Sequence, residues 1–221
     1  MKSKVQQKNY QKCGLSNIQD GRVATQIGWY KLASELCSGQ SVLDVGAGLG
    51  NGLKLLALKT VIAHGLEVDS RLQTDIIFIK DITEIDSKSY DTVVCIDVIE
   101  HIEEDLDFIE QLVRVARNQI ILSTPNWTAS RCRWPYHIRE YKPKDLFLIL
   151  KPYGDVSIFK GTPDGDEYYA VKFLSLYFIF NSLRTFFLTA FASKLINFIL
   201  PSRHKIHSHI FSVLSIKNKF N

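Results

Sequence analysis

The sequence predicts one α/β domain built on a doubly wound, mostly parallel sheet of seven strands. Three observations predict it. The chain has 221 residues, 46% hydrophobic and 23% charged, which suits a single folded domain and excludes a fibrous, low-complexity or disordered chain. Short apolar runs of strand length alternate with segments of helical period, the pattern of parallel strands joined by right-handed crossovers. The first run passes directly into a glycine-rich turn and then a helix.

Each element follows in order. Residues 1–20 are polar and lysine-rich without a hydrophobic period, and read as a flexible lead-in to a core over 21–167. Residues 22–37 place Val23, Ile27, Tyr30 and Ala33 on one helical face. Residues 41–46 (SVLDVG) read as a buried strand, and Leu53–Leu58 as a helix. Residues 61–67, 76–79 and 91–97 are the second, third and fourth strands. Only eight residues, 68–75, lie between the second and third, too few for a crossover helix, so that connection should be about one turn.

Residues 103–118 are the clearest helix. Glu103, Glu104 and Asp105 open it and Arg114 and Arg117 close it, as the helix dipole favours, with Leu106, Ile109, Val113 and Ala116 facing inward. Residues 119–124 form the fifth strand, stopped by Pro125; Pro143 starts another helix and 155–160 form the sixth strand. Residues 168–221 complete the same domain. They hold an apolar helical segment over 173–200 and a last strand over 210–216.

Charge is unevenly spread. Residues 1–12 hold four Lys and no acid, 168–221 hold seven Lys or Arg and no acid, and 13–167 carry net −7. An acidic core argues against a nucleic-acid face, and basic ends suit an anionic membrane surface. Cys13, Cys37, Cys95 and Cys132 are not in CxxC spacing, and no leader-like segment opens the chain, so a reducing cytoplasm is expected, with peripheral contact at the inner face of the membrane as an option.

The strongest motif is Asp44-Val45-Gly46-Ala47-Gly48-Leu49-Gly50. Glycines let a backbone pass close to a ligand. The dinucleotide fingerprint GxGxxG fails here, because Asn51 and Leu53 stand where its third glycine would be. A carboxylate at Asp44 repels a pyrophosphate and suits a cation. Glu67, with Asp69 as runner-up, ends the second strand where a ribose diol is held, and Asp81 could reach an adenine amino group. The implied ligand is an adenosine with a positive amino-acid head.

At this point the chain resembles the class I S-adenosylmethionine-dependent methyltransferases. VLDVGAGLG (42–50), GLEVD (65–69), KDI (80–82), YDTVVCIDVIEHI (90–102) and ILSTPN (121–126) carry the resemblance, which covers roughly residues 20–165. It implies a Rossmann-like sheet whose last strand, Ile210–Ile216, is antiparallel. It implies S-adenosylmethionine as cofactor, with Asp44, Gly46, Ala47, Gly48 and Gly50 at the methionine part, Glu67 and Val68 at the ribose, Asp81 and Ile82 at the adenine, and Asp97 completing the site.

Asp97, Glu100 and His101 end the fourth strand with a spacing that could converge on a divalent cation. The run resembles the (D/E)xxEH of ubiquinone-pathway and small-RNA 2′-O-methyltransferases, and His137-Ile138-Arg139-Glu140-Tyr141 resembles the H-x-x-E-aromatic run of the latter. On that resemblance Asp97, Glu100, His101 and His137 are a candidate Mg²⁺ site, set against the favoured expectation of no metal. The expected reaction is in-line methyl transfer to an oxygen of a small-molecule, glycan or lipid-linked acceptor, with His137 the first candidate base and His101 the second. Arg131, Arg133 and Arg139, with Trp127, Trp134 and Tyr136, could hold an acidic sugar or phosphate. A non-catalytic binding module and a metal-assisted RNA 2′-O-methyltransferase are the rivals.

The longest uncharged run in 173–200, Phe173–Leu183, is shorter than the roughly 18–20 residues of a membrane span. Peripheral membrane contact, packing on the core and a homodimer interface are the three readings of that segment.

Overall fold

The structure, a computed structural model, describes residues 26–187 and 198–217. Helix α1 (Ile27–Leu36) precedes β1 (Ser41–Val45), α2 (Asn51–Ala57), β2 (Ile62–Glu67), β3 (Ile77–Ile79) and β4 (Tyr90–Ile96). Then come α3 (Asp105–Val115), β5 (Ala116–Pro125), the one-turn α4 (Trp127–Ser130), α5 (Pro143–Leu150), β6 (Gly154–Gly161), β7 (Tyr168–Ala170), α6 (Leu174–Phe187) and β8 (His209–Ile216).

The strands form one sheet in the order β3-β2-β1-β4-β5-β8-β6-β7. The five strands from β3 to β5 are parallel; β8 inserts antiparallel between β5 and β6. The sheet thus has eight strands where seven were expected, the extra one being the three-residue edge strand β7, antiparallel to β6. The apolar helix before the last strand is α6; residues 188–197 of the expected segment lie outside the described residues, as do Val23 and the 1–20 lead-in.

Strand alternation divides the core between the two faces. Leu43, Val93, Ile120 and Leu122 pack with Ile109, Leu112, Val115 and Leu146 on the α3/α5 face. Val42, Val94 and Ile121 pack with Trp29, Tyr30 and Ala33 of α1 and Phe211 of β8 on the other. Trp29 stacks on Phe211 with ring centroids 5.1 Å apart. The inward face of α3 is Ile109, Leu112 and Val115, while Leu106 is 54% exposed. β5 begins at Ala116 directly after α3, without a connecting loop.

Two connections lack a crossover helix. Residues 70–72 between β2 and β3 form a single 3₁₀ turn, capped by the Asp69 side chain accepting from the Arg71 N–H at 3.1 Å. Residues 82–84 between β3 and β4 form another, with an Asp81/Glu84 capping box. Arg114 of α3 ties this second turn down by donating to the Ile82 and Ile85 carbonyls at 2.8 and 2.6 Å. The cavity-side end of β2 and β3 is therefore framed by turns.

Gly52 opens α2 directly under the Tyr30 ring, and a Cβ there would overlap three ring atoms. Gly52→Ala should displace Tyr30 and destabilise the fold by about 1–3 kcal/mol, read as a lower urea midpoint. An unchanged midpoint would contradict this packing.

Candidate active site

The site forms at the C-terminal ends of β1, β2 and β4, where an open parallel sheet offers a crevice. Leaving β1, the chain turns sharply. Gly46 (φ +80°) lies so close to Val98 that a Cβ would overlap Val98 Cγ2. Gly48 (φ +53°) faces open space, with nothing within 4 Å of where its Cβ would be. Glu67, buried at the tip of β2, holds this loop. Its Oε2 accepts from Gly48 N–H at 2.9 Å, and its Oε1 accepts from Val68 and Asp69 N–H at 2.7 and 3.1 Å.

The loop bounds a cavity of about 740 Å³. Gly46, Ala47, Gly48, Glu67, Val68, Asp81, Ile82, Asp97 and His101 all line it. Among the residues expected to bind a cofactor, Gly50 and Asp44 are not on its wall. Gly50, in the left-handed region, sits at the N-cap of α2. Asp44 lies fully buried behind the loop, where the Tyr30 hydroxyl donates to Oδ1 at 3.3 Å and Oδ2 has no hydrogen-bond partner. Burial pushes its pKa up to about 7, against the Tyr30 hydrogen bond and with the charge of Glu67 adding to the rise.

Asp97 has the opposite surroundings. It follows β4 directly with φ +54°, an uncommon backbone for a residue with a Cβ. Ser123 Oγ donates to Oδ1 at 2.6 Å, and Gln26 Nε2 and His209 Nε2 both face Oδ2, at 3.1 and 3.2 Å. Burial raises its pKa, but the His209 charge and these hydrogen bonds outweigh it and hold the carboxyl below the usual range.

Glu100, His101 and His137 come together, their ligand-type atoms within 4.8 Å of one another. Asp97 is not in the group; His209, Ser123 and Gln26 hold it instead. Glu100 is fully buried, accepts from Thr124 Oγ1 at 3.1 Å, and leaves Oε1 without a hydrogen-bond partner. Burial, then the Asp97 charge, raise its pKa. His101 Nδ1 faces the Tyr136 carbonyl at 3.0 Å, and His137 Nδ1 faces Glu140 Oε1 at 2.7 Å. The two rings meet edge to face at 4.9 Å. His101 is on the cavity wall, and His137 is not among the residues that line it. Burial lowers the His101 pKa, partly offset by the Tyr136 carbonyl, so its imidazole is neutral at pH 7.

Arg139 pairs with Asp105 and donates to the Glu103 carbonyl at 2.6 Å, while Arg131 lies over the Trp127 ring at 4.5 Å. Gln26 and His209 escaped the sequence reading. No local motif marks them; they meet Asp97 only through α1 and the inserted β8.

The family model described as methionine biosynthesis protein MetW matches residues 29–162. A probable S-adenosylmethionine-dependent methyltransferase of Mycobacterium tuberculosis (strain CDC 1551 / Oshkosh) is 30% identical over 149 residues, covering 58% of this chain and 53% of the relative. The chain thus spans about half the length of that curated relative. Among solved structures, a Haloferax volcanii methyltransferase in complex with the Trm112 methyltransferase activator aligns over 98% of this chain and 97% of that one, at 14% identity and TM-score 0.60. A SAM-dependent methyltransferase of Thermotoga maritima aligns over 88% and 92%, at 9% identity and TM-score 0.58. At these identities the likeness shows the fold, that of the class I methyltransferases.

The Asp44 shift implies a measurable pH effect. A carboxyl whose pKa is raised on folding binds its proton more tightly when folded, so its ionisation weakens the fold as pH climbs from about 4 to about 7. Asp44→Asn should outlast the wild type in urea at pH 8 by roughly 1–4 kcal/mol and match it near pH 4. Equal midpoints at pH 8 would contradict an unrelieved buried carboxylate.

Proposed function

This chain belongs to the family of the methionine biosynthesis protein MetW, and on that premise we propose that it is an S-adenosylmethionine-dependent methyltransferase acting on an oxygen of a small-molecule, glycan or lipid-linked acceptor. One observation carries the reading: a single cavity is lined both by the Gly46–Gly48 loop with Glu67 and by the imidazole of His101. The residues fit the cofactor. Gly48 leaves room where a side chain would intrude, Glu67 Oε2 has capacity beyond its one backbone bond for a ribose hydroxyl, and Asp97 offers an anion to an ammonium.

When bound, the cofactor supplies an electrophilic methyl on a sulfonium. The protein aligns the acceptor and takes up its proton. The Tyr136 carbonyl fixes Nδ1 of His101 as the protonated nitrogen, which makes Nε2 the basic one. His137, oriented by Glu140, backs the ring and limits its rotation.

A second reading has the buried, unpartnered Glu100 Oε1 in its favour: Glu100, His101 and His137 hold a divalent cation such as Mg²⁺ that polarises the acceptor oxygen. Labelled-methyl transfer to a panel of hydroxylated small molecules, saccharides and lipid-linked saccharides separates the two. With His101 as base, His101→Ala lowers turnover by about 10²–10⁴, keeps S-adenosylhomocysteine affinity, and turnover survives chelator. Chelator-sensitive turnover restored by Mg²⁺ favours the metal, and undiminished turnover by His101→Ala contradicts both.

A peripheral membrane contact through 173–200 is part of this reading. Among the described residues no helix is long and apolar enough to cross a membrane. Phe173, just before α6, and Leu176, Ile179 and Phe180 along it are exposed, Phe173 at 73%, in a stretch free of acids. Aliphatic and aromatic side chains beside cations suit an anionic bilayer surface. The chain should co-sediment with vesicles containing phosphatidylglycerol and much less with phosphatidylcholine alone. Replacing Phe173, Leu176 and Phe180 together by Ser should release it; equal binding by that variant would remove α6 from the contact.

A further inference from the structure

Asp97 stands at a junction of four elements. It follows β4 directly, and its donors come from the start of α1 (Gln26), from β5 (Ser123) and from the first residue of β8 (His209). An ionised carboxylate only accepts, so the His209 nitrogen at 3.2 Å is a donor. Asp97 and His209 are both nearly buried, with side chains 12% and 10% exposed. Only Asp97 lines the cavity.

The cavity runs across the sheet from Asp81 and Ile82 beside β3, past Glu67 on β2, to Asp97 just after β4. A nucleoside seated with its ribose at Glu67 and its base toward Asp81 directs its other end toward Asp97. Asp44, behind the loop, cannot meet that end directly. We propose that His209 and Gln26 are positioning residues: by holding Oδ2 of Asp97 they aim this carboxylate at the α-ammonium of the cofactor's amino-acid end. The inference rests on the cofactor reading above and adds which residues make the ammonium site.

A merely structural His209 would weaken every ligand alike or none. A positioning His209 acts on ligands that carry the ammonium. The test is calorimetric titration of the full chain with S-adenosylhomocysteine, which has the ammonium, and 5′-methylthioadenosine, which lacks the amino-acid group. His209→Ala should weaken S-adenosylhomocysteine about tenfold or more and leave 5′-methylthioadenosine within about twofold. His209→Gln, which keeps an N–H donor, should recover most of the loss. If His209→Ala fails to fold in a thermal melt, Gln26→Ala removes the other Oδ2 donor and should give the same split. Equal losses for both nucleosides, or no loss for either, overturn the inference and leave the cofactor reading standing. A folded wild type that binds neither nucleoside overturns both.

Discussion

The N–H groups of Gly48, Val68 and Asp69 all point at the carboxylate of Glu67, and the geometry of the cavity descends from that convergence. The bond from Gly48 crosses from the β1 turn to the tip of β2. It fixes the loop that leaves β1 relative to the strand beside it. Backbone donors in a buried place need partners, and here one side chain supplies three of them. With the loop held, Gly46 can press on Val98 at the end of β4, and the ends of the three strands become one rigid rim.

Four carboxylates crowd that rim: Asp44, Glu67 and Glu100 are buried, and Asp97 is nearly so. What separates them is the number of donors each one meets. Asp97 meets three and keeps its charge; Asp44 and Glu100 each meet one side-chain donor, and burial pushes both upward. Charges placed close together in a poorly solvated region cannot all be carried at once. Of the four, Asp97 is the one held below the usual carboxylate range, and it faces the cavity, where a cationic ligand would neutralise it.

What the sequence made legible was local. The strand ends and the glycine loop could be placed because hydrophobic runs and turn residues are adjacent in the chain. Glu67 could be placed because it ends a strand. The shortened β2–β3 link followed from counting residues, and the structure has a single turn there. Position in space was harder. Leu106 has the right period for the core, yet it is more than half exposed. β7 is too short to carry a pattern. Asp44 has the motif position of a ligand residue, yet the same β1 pleat that makes the strand sends its side chain behind the loop to Tyr30. Gln26 and His209 are 71 and 112 residues from Asp97, and only the sheet order brings them there.

The insertion of β8 between β5 and β6 also orders events in time. Among the described strands β8 comes last in the chain, yet it alone joins β6 and β7 to the parallel half of the sheet. The β3-to-β5 half can pair its strands while the remainder is still being made, but the β6–β7 hairpin has no neighbouring strand that joins it to that half until β8 arrives. Long-range pairing of this kind slows folding. The same strand carries His209 to Asp97 in its first residue. Completion of the Asp97 environment is thereby tied to the docking of β8, and a chain in which β8 has not docked presents a cavity whose Asp97 lacks one of its three donors.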